Sequence, residues 1–266
     1  MQAILEVITT IARSAGKEIL EVYQRATVEV EKKSDDSPIT VADRRSHQLI
    51  LHQLQVHFPD IPVISEEAPA VPYEQRQRWS FFWLVDPLDG TKEFINRNGE
   101  FTVNIALLHQ AIPVAGVVYA PALQTMYWGA QGYGAWKQQD GQIVNLLGET
   151  PEEHHDGLIA VGSRSHAKPE EEQVLQQLGI TGIRRIGSAL KFCLVAEKQA
   201  DLYYRASPVW EWDTAAGHAI LNAIGGMVLS RGQPLRYNTP DLKHTNGFVC
   251  VWNPALLDQY PLLKTL

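Results

Sequence analysis

Cysteine is scarce in this chain. Cys193 and Cys250 are the only two in 266 residues, and they form no CxxC pair. That argues against a disulfide framework and makes a reducing cytoplasm the expected compartment. Basic charge is in deficit, with 23 Lys and Arg against 30 Asp and Glu for a net −7. A general binder of polymeric nucleic acid or of a membrane surface is therefore disfavoured. Long apolar runs are missing too. The most apolar long stretch, Phe101 to Ala120, is interrupted by Asn104, His109, Gln110 and Pro113, so no transmembrane segment is expected. The N-terminus lacks the basic region and unbroken apolar core of a signal peptide. No Walker glycine loop or Rossmann fingerprint occurs, which weakens ATP-driven and dinucleotide chemistry. The nine histidines are scattered, and the adjacent His154 and His155 fall in a polar stretch, so zinc is not indicated. A small anionic substrate stays open, because bound cations can reverse a local negative potential.

What the chain does have is enough length for a large core, as one domain or two closely packed lobes. Its organising stretch runs from Trp79 to Thr91. Trp79 to Val85 is aromatic and β-branched, the composition of a buried strand. The strand is expected to stop at Asp86-Pro87-Leu88-Asp89-Gly90-Thr91, where Pro87 removes a donor and Gly90 permits a tight turn. Asp86 and Asp89 at the mouth of a buried strand repel each other unless a cation lies between them. Asp, Pro and Gly are also ordinary turn residues. The weight shifts toward a metal site because further acids stand at the ends of other elements.

In chain order, residues 2 to about 24 carry apolar side chains at helical spacing, among them Ile4, Ile8, Ile11, Ala15 and Ile19. A β-like run at 27–32 precedes a polar loop through Asp35 and Asp36. Thr40 or Asp43 caps a second helix. Val63 to Ser65 reads as a short strand ending in Glu66 and Glu67, and Thr91 starts a short helix. From Phe101 to about Lys137 the pattern is of paired antiparallel strands. Gln138 to Asp156 reads as a connector, which sets the expected division at 1–150, an α+β lobe with the metal motifs, and 151–266, an α/β lobe with substrate contacts. In the second part strands near Leu158, Asp201, Met227 and Gly247 alternate with helices at Glu170 to Leu178, Ala189 to Ala200 and after Trp212. Asp213 lies in the first turn of that last helix or at its cap.

Glu66, Asp86, Asp89 and Asp213 make an all-oxygen set of the kind that hard divalent cations such as Mg2+ prefer. Backbone N–H groups at Gly90 and Thr91, at a helix start, favour a phosphate. Carboxylates for metals beside amides for phosphate imply metal-assisted phosphoryl transfer to water.

Three tracts, Glu66-Glu67, Asp86-Pro-Leu-Asp-Gly-Thr91 and Trp212-Asp-Thr-Ala-Ala216, taken in this order, resemble the inositol monophosphatase superfamily of Mg2+-dependent, lithium-sensitive phosphatases. The longer stretches Trp83 to Ile95, Asn98 to Ala106 and Gly187 to Cys193 are similar to its CysQ-type branch, the 3'(2'),5'-bisphosphate nucleotidases. The resemblance covers nearly the whole chain and implies the layered α-β-α-β-α sugar-phosphatase fold, of mixed α/β class. It implies hydrolysis of the 3'-phosphate of adenosine 3',5'-bisphosphate to AMP, serving sulfur assimilation.

By the same resemblance Glu66, Asp86 and the Leu88 carbonyl hold one Mg2+, and Asp86, Asp89 and Asp213 a second. The loop of Asp35 and Asp36 is linked to a weaker third. Thr91 and Asp43 orient and deprotonate the attacking water. Gly90, Thr91, Ser188, Lys191 and Asp213 contact substrate, with His166 and Arg205 beside them. Ordinary alternatives stand next to these: Lys191 and Arg205 as exposed charges, and Ser188 as a helix cap. Trp210 departs from the usual pattern and either narrows the pocket or stacks on a base. The rival functions are an inositol- or sugar-phosphate phosphatase and a non-catalytic Mg2+- or nucleotide-binding regulator. Monomer and homodimer are both open.

Overall fold

The computed structural model describes residues 1–25, 30–32, 38–148, 157–180 and 182–266. Asp35, Asp36, His154 and His155 lie outside them. The organising strand, Phe81–Asp89, sends Phe82 and Leu84 into one apolar cluster and Trp83 and Val85 into another. A period-two strand that is apolar on both faces must lie between two covering layers. Among the described residues it sits in a seven-stranded sheet, beside Val63–Ser65 on one side and Thr102–His109 on the other. Ile112–Ala120, Thr125–Ala130, Gly134–Gln139 and Gln142–Asn145 follow as a meander. The pairing with Val63–Ser65 is parallel and the rest are antiparallel.

The helices Gln2–Tyr23 and Val41–His57 cover one face of this sheet. Ile8, Ile11, Ala15 and Ile19 are buried there, in the stripe their spacing predicts. The helices Leu190–Ala196 and Ala215–Ala223 cover the other face. They approach it very closely: a Cβ at Gly116 would stand 2.7 Å from the Ala216 carbonyl oxygen. Beyond them lies, among the described residues, a six-stranded sheet. In it Gly182–Ile186, Ile159–Ser163 and Leu202–Arg205 run parallel, as strand–helix alternation requires. Phe248–Val251 and Met227–Ser230 join antiparallel. Leu175 of Pro169–Gln177 and Leu256 and Leu257 cover its outer face. The layers follow the α-β-α-β-α order.

Two expectations are corrected. The central strand does not stop at Val85. It runs on to Asp89 past Pro87, which sits at an irregularity in the pairing where no ladder donor is needed. The stretch from Gln138 is not all connector either. Gln138 and Gln139 finish one strand, and Gln142–Asn145 forms the sheet's edge. All four residues of that edge are exposed, so no inward-facing apolar alternation marks it as a strand.

Two buried histidines give the fold a measurable pH response. His218 is 4% and His244 5% exposed. Burial lowers His218 to about 3, with the nearby His244 adding to it, and lowers His244 to about 4 against the opposing charge of Asp241. Unfolded histidine titrates near 6.5, so below that pH the unfolded chain binds protons the folded chain cannot. Stability is therefore lost as pH falls from about 6.5 toward 4, by up to about 1.4 kcal/mol per pH unit for each histidine. In chemical denaturation with a chelator present, His244→Phe should gain roughly 1.5 kcal/mol on the parent between pH 6.5 and 5. Parallel stability curves would show that His244 is not a buried neutral group.

Candidate active site

The irregularity at Pro87 builds the acidic pole. Asp86 pairs with Asn104 and Asp89 with Thr102, so three steps on one strand oppose two on its neighbour. The added residue reverses the alternation, and Asp86 and Asp89 emerge on one face instead of opposite faces. The bulge is pinned from both sides. The Leu88 N–H donates to Asp86 Oδ1 at 3.0 Å, and Ser46 Oγ of the second helix donates to the Pro87 carbonyl at 2.7 Å. Asn104 Nδ2 donates to Asp89 Oδ2 at 3.3 Å. Gly90 then turns the chain at φ +89°, and a Cβ there would lie 2.1 Å from Ser188 Oγ. Any other residue there would be strained and would push the Ser188 hydroxyl aside. The short helix Thr91–Ile95 follows.

Asp213 reaches the same place from the opposite side. It lies in a 3-10 turn, Glu211–Asp213, and Thr214 takes the cap position of the next helix, so Asp213 is neither cap nor first-turn residue. The turn is braced from behind. Buried Glu211 accepts from the Asn238 and Thr239 N–H groups at 2.7 and 2.8 Å and from Thr239 Oγ1 at 2.6 Å. Arg76, 1% exposed, donates to Asn238 Oδ1 and to the Thr239 and Pro240 carbonyls at 2.6–2.7 Å.

Carboxylate oxygens of Asp86, Asp89 and Asp213 all come within 4.8 Å of one another. Glu66 and Leu88 line the same cavity. Burial first, and then the charges of Glu66, Asp89 and Asp213, push Asp86 well above the usual carboxylate range. Burial and the charges of Asp89 and Glu66 do the same to Asp213. Asp89 is raised to about 6 by burial, against the opposing charge of Lys191. So many buried acids face one another that they need either protons or a cation. The donors are all oxygen, which fits a hard metal ion, and the cluster can hold one.

Asp43 settles which residue caps the second helix. Thr40 is the N-cap, and its N–H and Oγ1 donate to Asp43 Oδ2 at 2.7 and 2.6 Å, a reciprocal capping box. The other oxygen, Oδ1, lies 3.5 Å from the Thr91 hydroxyl, which donates toward it. Asp43 is thus both cap and neighbour of Thr91. Burial raises it to about 6, held back by the Thr40 hydrogen bonds.

The cavity, about 450 Å3 in all, also carries positive charge. Lys191, Arg205 and His166 line it with Ser188. Lys191 is 7% exposed, so it is no free surface charge. Its Nζ donates to the Ser188 carbonyl at 2.6 Å and stands 5.6 Å from the Tyr203 ring centre. Burial, aided by Lys92 and Arg205, lowers the His166 pKa. Ser188 does not cap a helix. Its backbone is left-handed at φ +52°, and its Oγ donates to the Asp89 carbonyl at 2.9 Å. Trp210 lines the cavity with its ring stacked on Trp212 at 4.8 Å and the Lys243 ammonium 3.7 Å from its centre.

All the expected site residues among those described meet around this cavity, with Asp43 just behind Thr91. Sequence reasoning passed over Lys92, Glu93, Phe192 and Tyr203, which also line it. Lys92 and Glu93 directly follow the acidic motif, and Phe192 follows Lys191. Adjacency was the available signal.

Comparison with known proteins supplies the relationship. A profile of the inositol monophosphatase family matches residues 1–256. The chain is 50% identical over 248 residues to the 3'(2'),5'-bisphosphate nucleotidase CysQ of Salmonella typhimurium, covering 92% of this chain and 98% of that protein. It is 47% identical to the protein of the same name from Escherichia coli K12, with the same coverage. Among solved structures, CysQ from Bacteroides thetaiotaomicron superposes with a TM-score of 0.81 at 41% identity, covering 94% of this chain and 97% of that one.

Proposed function

The chain belongs to the inositol monophosphatase family, and from that premise we propose that it is a 3'(2'),5'-bisphosphate nucleotidase. It hydrolyses the 3'-phosphate of adenosine 3',5'-bisphosphate to give AMP and phosphate. The observation that carries this reading is one cavity lined both by the converging carboxylates Asp86, Asp89 and Asp213 and by the cations Lys191 and Arg205. A substrate with two phosphates matches it: one is worked on at the acidic pole, and the other is held by the cations. The identity of the curated relatives supports the nucleotide over a sugar phosphate.

Mg2+ is the proposed metal, with Glu66, Asp86, the Leu88 carbonyl, Asp89 and Asp213 holding two core ions and a weaker third nearby. Bound there, it supplies charge that polarises the phosphoryl group and makes water more acidic. The chain's own groups do the rest. The Thr91 hydroxyl orients the attacking water, and Asp43 accepts its proton through Thr91. A carboxylate raised to about 6 is still ionised near neutral pH and basic enough for that role. The bond from phosphorus to the ribose 3'-oxygen breaks as the bond from phosphorus to the water oxygen forms, and the departing oxygen takes up a proton from solvent to become the 3'-hydroxyl of AMP. Ser188 holds the Asp89 carbonyl, while Lys191, Arg205 and neutral His166 position the remaining phosphate.

This assignment is tested by selectivity. Lys191→Met and Arg205→Met keep an apolar stem and remove the charge. Each should lower the kcat/KM ratio of adenosine 3',5'-bisphosphate to inositol 1-phosphate by about 10-fold or more, the loss of one charge-assisted contact. An equal decline on both substrates would assign these residues to the general field and not to the second phosphate.

A further inference from the structure

The cavity is lined by distant stretches of chain, and one carboxylate grips two of them. Glu100 follows the short helix after Thr91. Its Oε2 accepts from Arg164 Nε at 2.5 Å and from the Gly187 N–H at 2.8 Å, and its Oε1 accepts from Arg164 Nη2 at 2.7 Å. Arg164 also donates through Nη2 to the Arg185 carbonyl at 2.9 Å. One acid therefore joins the loop that carries His166 to the turn that carries Ser188 and leads into Lys191. The fit at that turn is close. A Cβ on Gly187 would come 2.7 Å from Glu93 Cγ and 3.0 Å from the Glu100 carbonyl oxygen. Glu93 adds a second strap, since Ser165 Oγ donates to its Oε1 at 2.5 Å.

A lone ion pair with Arg164 46% exposed would do little. Here the pair is forked, Glu100 is only 14% exposed, and a third bond anchors it to backbone. The turn it anchors is costly to hold, since Ser188 is a non-glycine residue with left-handed backbone. We propose that Glu100 is a positioning residue for substrate: by clamping Arg164 and Gly187 together it holds His166, Ser188 and Lys191 at their set distance from the acidic pole. Glu100 touches no reacting atom. It acts through the loops it joins, so its loss should weaken holding of the substrate's far phosphate and leave the water-activating groups in place. The idea rests on the nucleotidase reading for what the far group is.

The test uses Glu100→Gln, Glu100→Ala, Arg164→Ala and the Glu100→Ala/Arg164→Ala double variant. For adenosine 3',5'-bisphosphate, Glu100→Ala and Arg164→Ala should each raise KM about 10-fold with kcat within about threefold of the parent, the scale of a charged hydrogen bond. The double variant should be little worse than either single, because both remove one clamp. Glu100→Gln, which can still accept from Gly187, should recover part of the loss. Calorimetric affinity for AMP should weaken by a similar factor, while Tm measured with a chelator stays within a few degrees. Unchanged KM in both single variants overturns the proposal. So does a fall in kcat with unchanged KM, a fall in kcat that tracks a large drop in Tm, or full additivity in the double variant. If the parent instead prefers inositol 1-phosphate, the nucleotidase reading fails, and the clamp is judged by the same KM comparison on that substrate.

Discussion

Asp89→Asn should lower kcat by at least ~100-fold, the scale of losing a major electrostatic stabiliser of a reacting centre. The substitution keeps the side chain's shape and its place opposite Thr102 on the bulged strand. What it removes is one of the three carboxylates that converge within 4.8 Å. More Mg2+ should be needed to reach half-maximal rate. Stability should move the other way. Burial is the main reason Asp89 is raised to about 6, and the charges of Glu93 and Glu66 add to it. Without a cation at neutral pH, the ionised group is a burden on the fold, so Asp89→Asn should leave Tm with a chelator unchanged or higher. A loss of activity without a loss of stability separates a working charge from a packing residue. Glu66→Gln should show a smaller drop in activity and a weaker Mg2+ dependence. Near-parent turnover in both variants at saturating Mg2+ would sink the metal assignment.

Asp43→Ala should cost about 100-fold in kcat with KM changed by only a few-fold, because the proposed task of Asp43 is to take a proton and not to hold substrate. The alanine also removes the acceptor that Thr40 uses in the capping box, and should destabilise the chain by about 1 kcal/mol. Asp43→Asn separates the two roles. Asparagine can still accept from Thr40 at the cap, yet it cannot serve as a base toward Thr91. It should therefore be nearly as slow as alanine and at least as stable as the parent, since burial raises this carboxylate too. If Asp43→Asn keeps parent activity, the carboxylate serves the helix alone.

Much of the site was legible because its chemistry is concentrated in a few residue types beside strongly patterned elements. The apolar run before Asp86 marked a strand between two layers, and the spacing of Ile8, Ile11, Ala15 and Ile19 marked the first helix. Tertiary context decided what remained hidden. Proline reads as a strand stop, yet the pairing continues to Asp89 because the bulge at Pro87 needs no donor there. That bulge puts Asp86 and Asp89 on one face, which strict alternation would not predict. Glu211 and Arg76 brace the Asp213 turn through backbone groups of Asn238, Thr239 and Pro240. No local pattern could pair them with a loop so far along the chain. Ser188 looked like a substrate contact or a cap, and only its left-handed backbone and its bond to the Asp89 carbonyl show it holding the acidic turn. The edge strand Gln142–Asn145 was invisible because every one of its residues is exposed.

The most direct test of the central claim is the ratio of kcat/KM for adenosine 3',5'-bisphosphate to that for inositol 1-phosphate. It is measured by phosphate release from the purified parent chain with Mg2+. A cavity that holds both an acidic cluster and the cations Lys191 and Arg205 predicts a ratio well above 10, since only the bisphosphate offers these cations a second phosphate. A ratio below 1, or no phosphate released from either compound, would contradict the account.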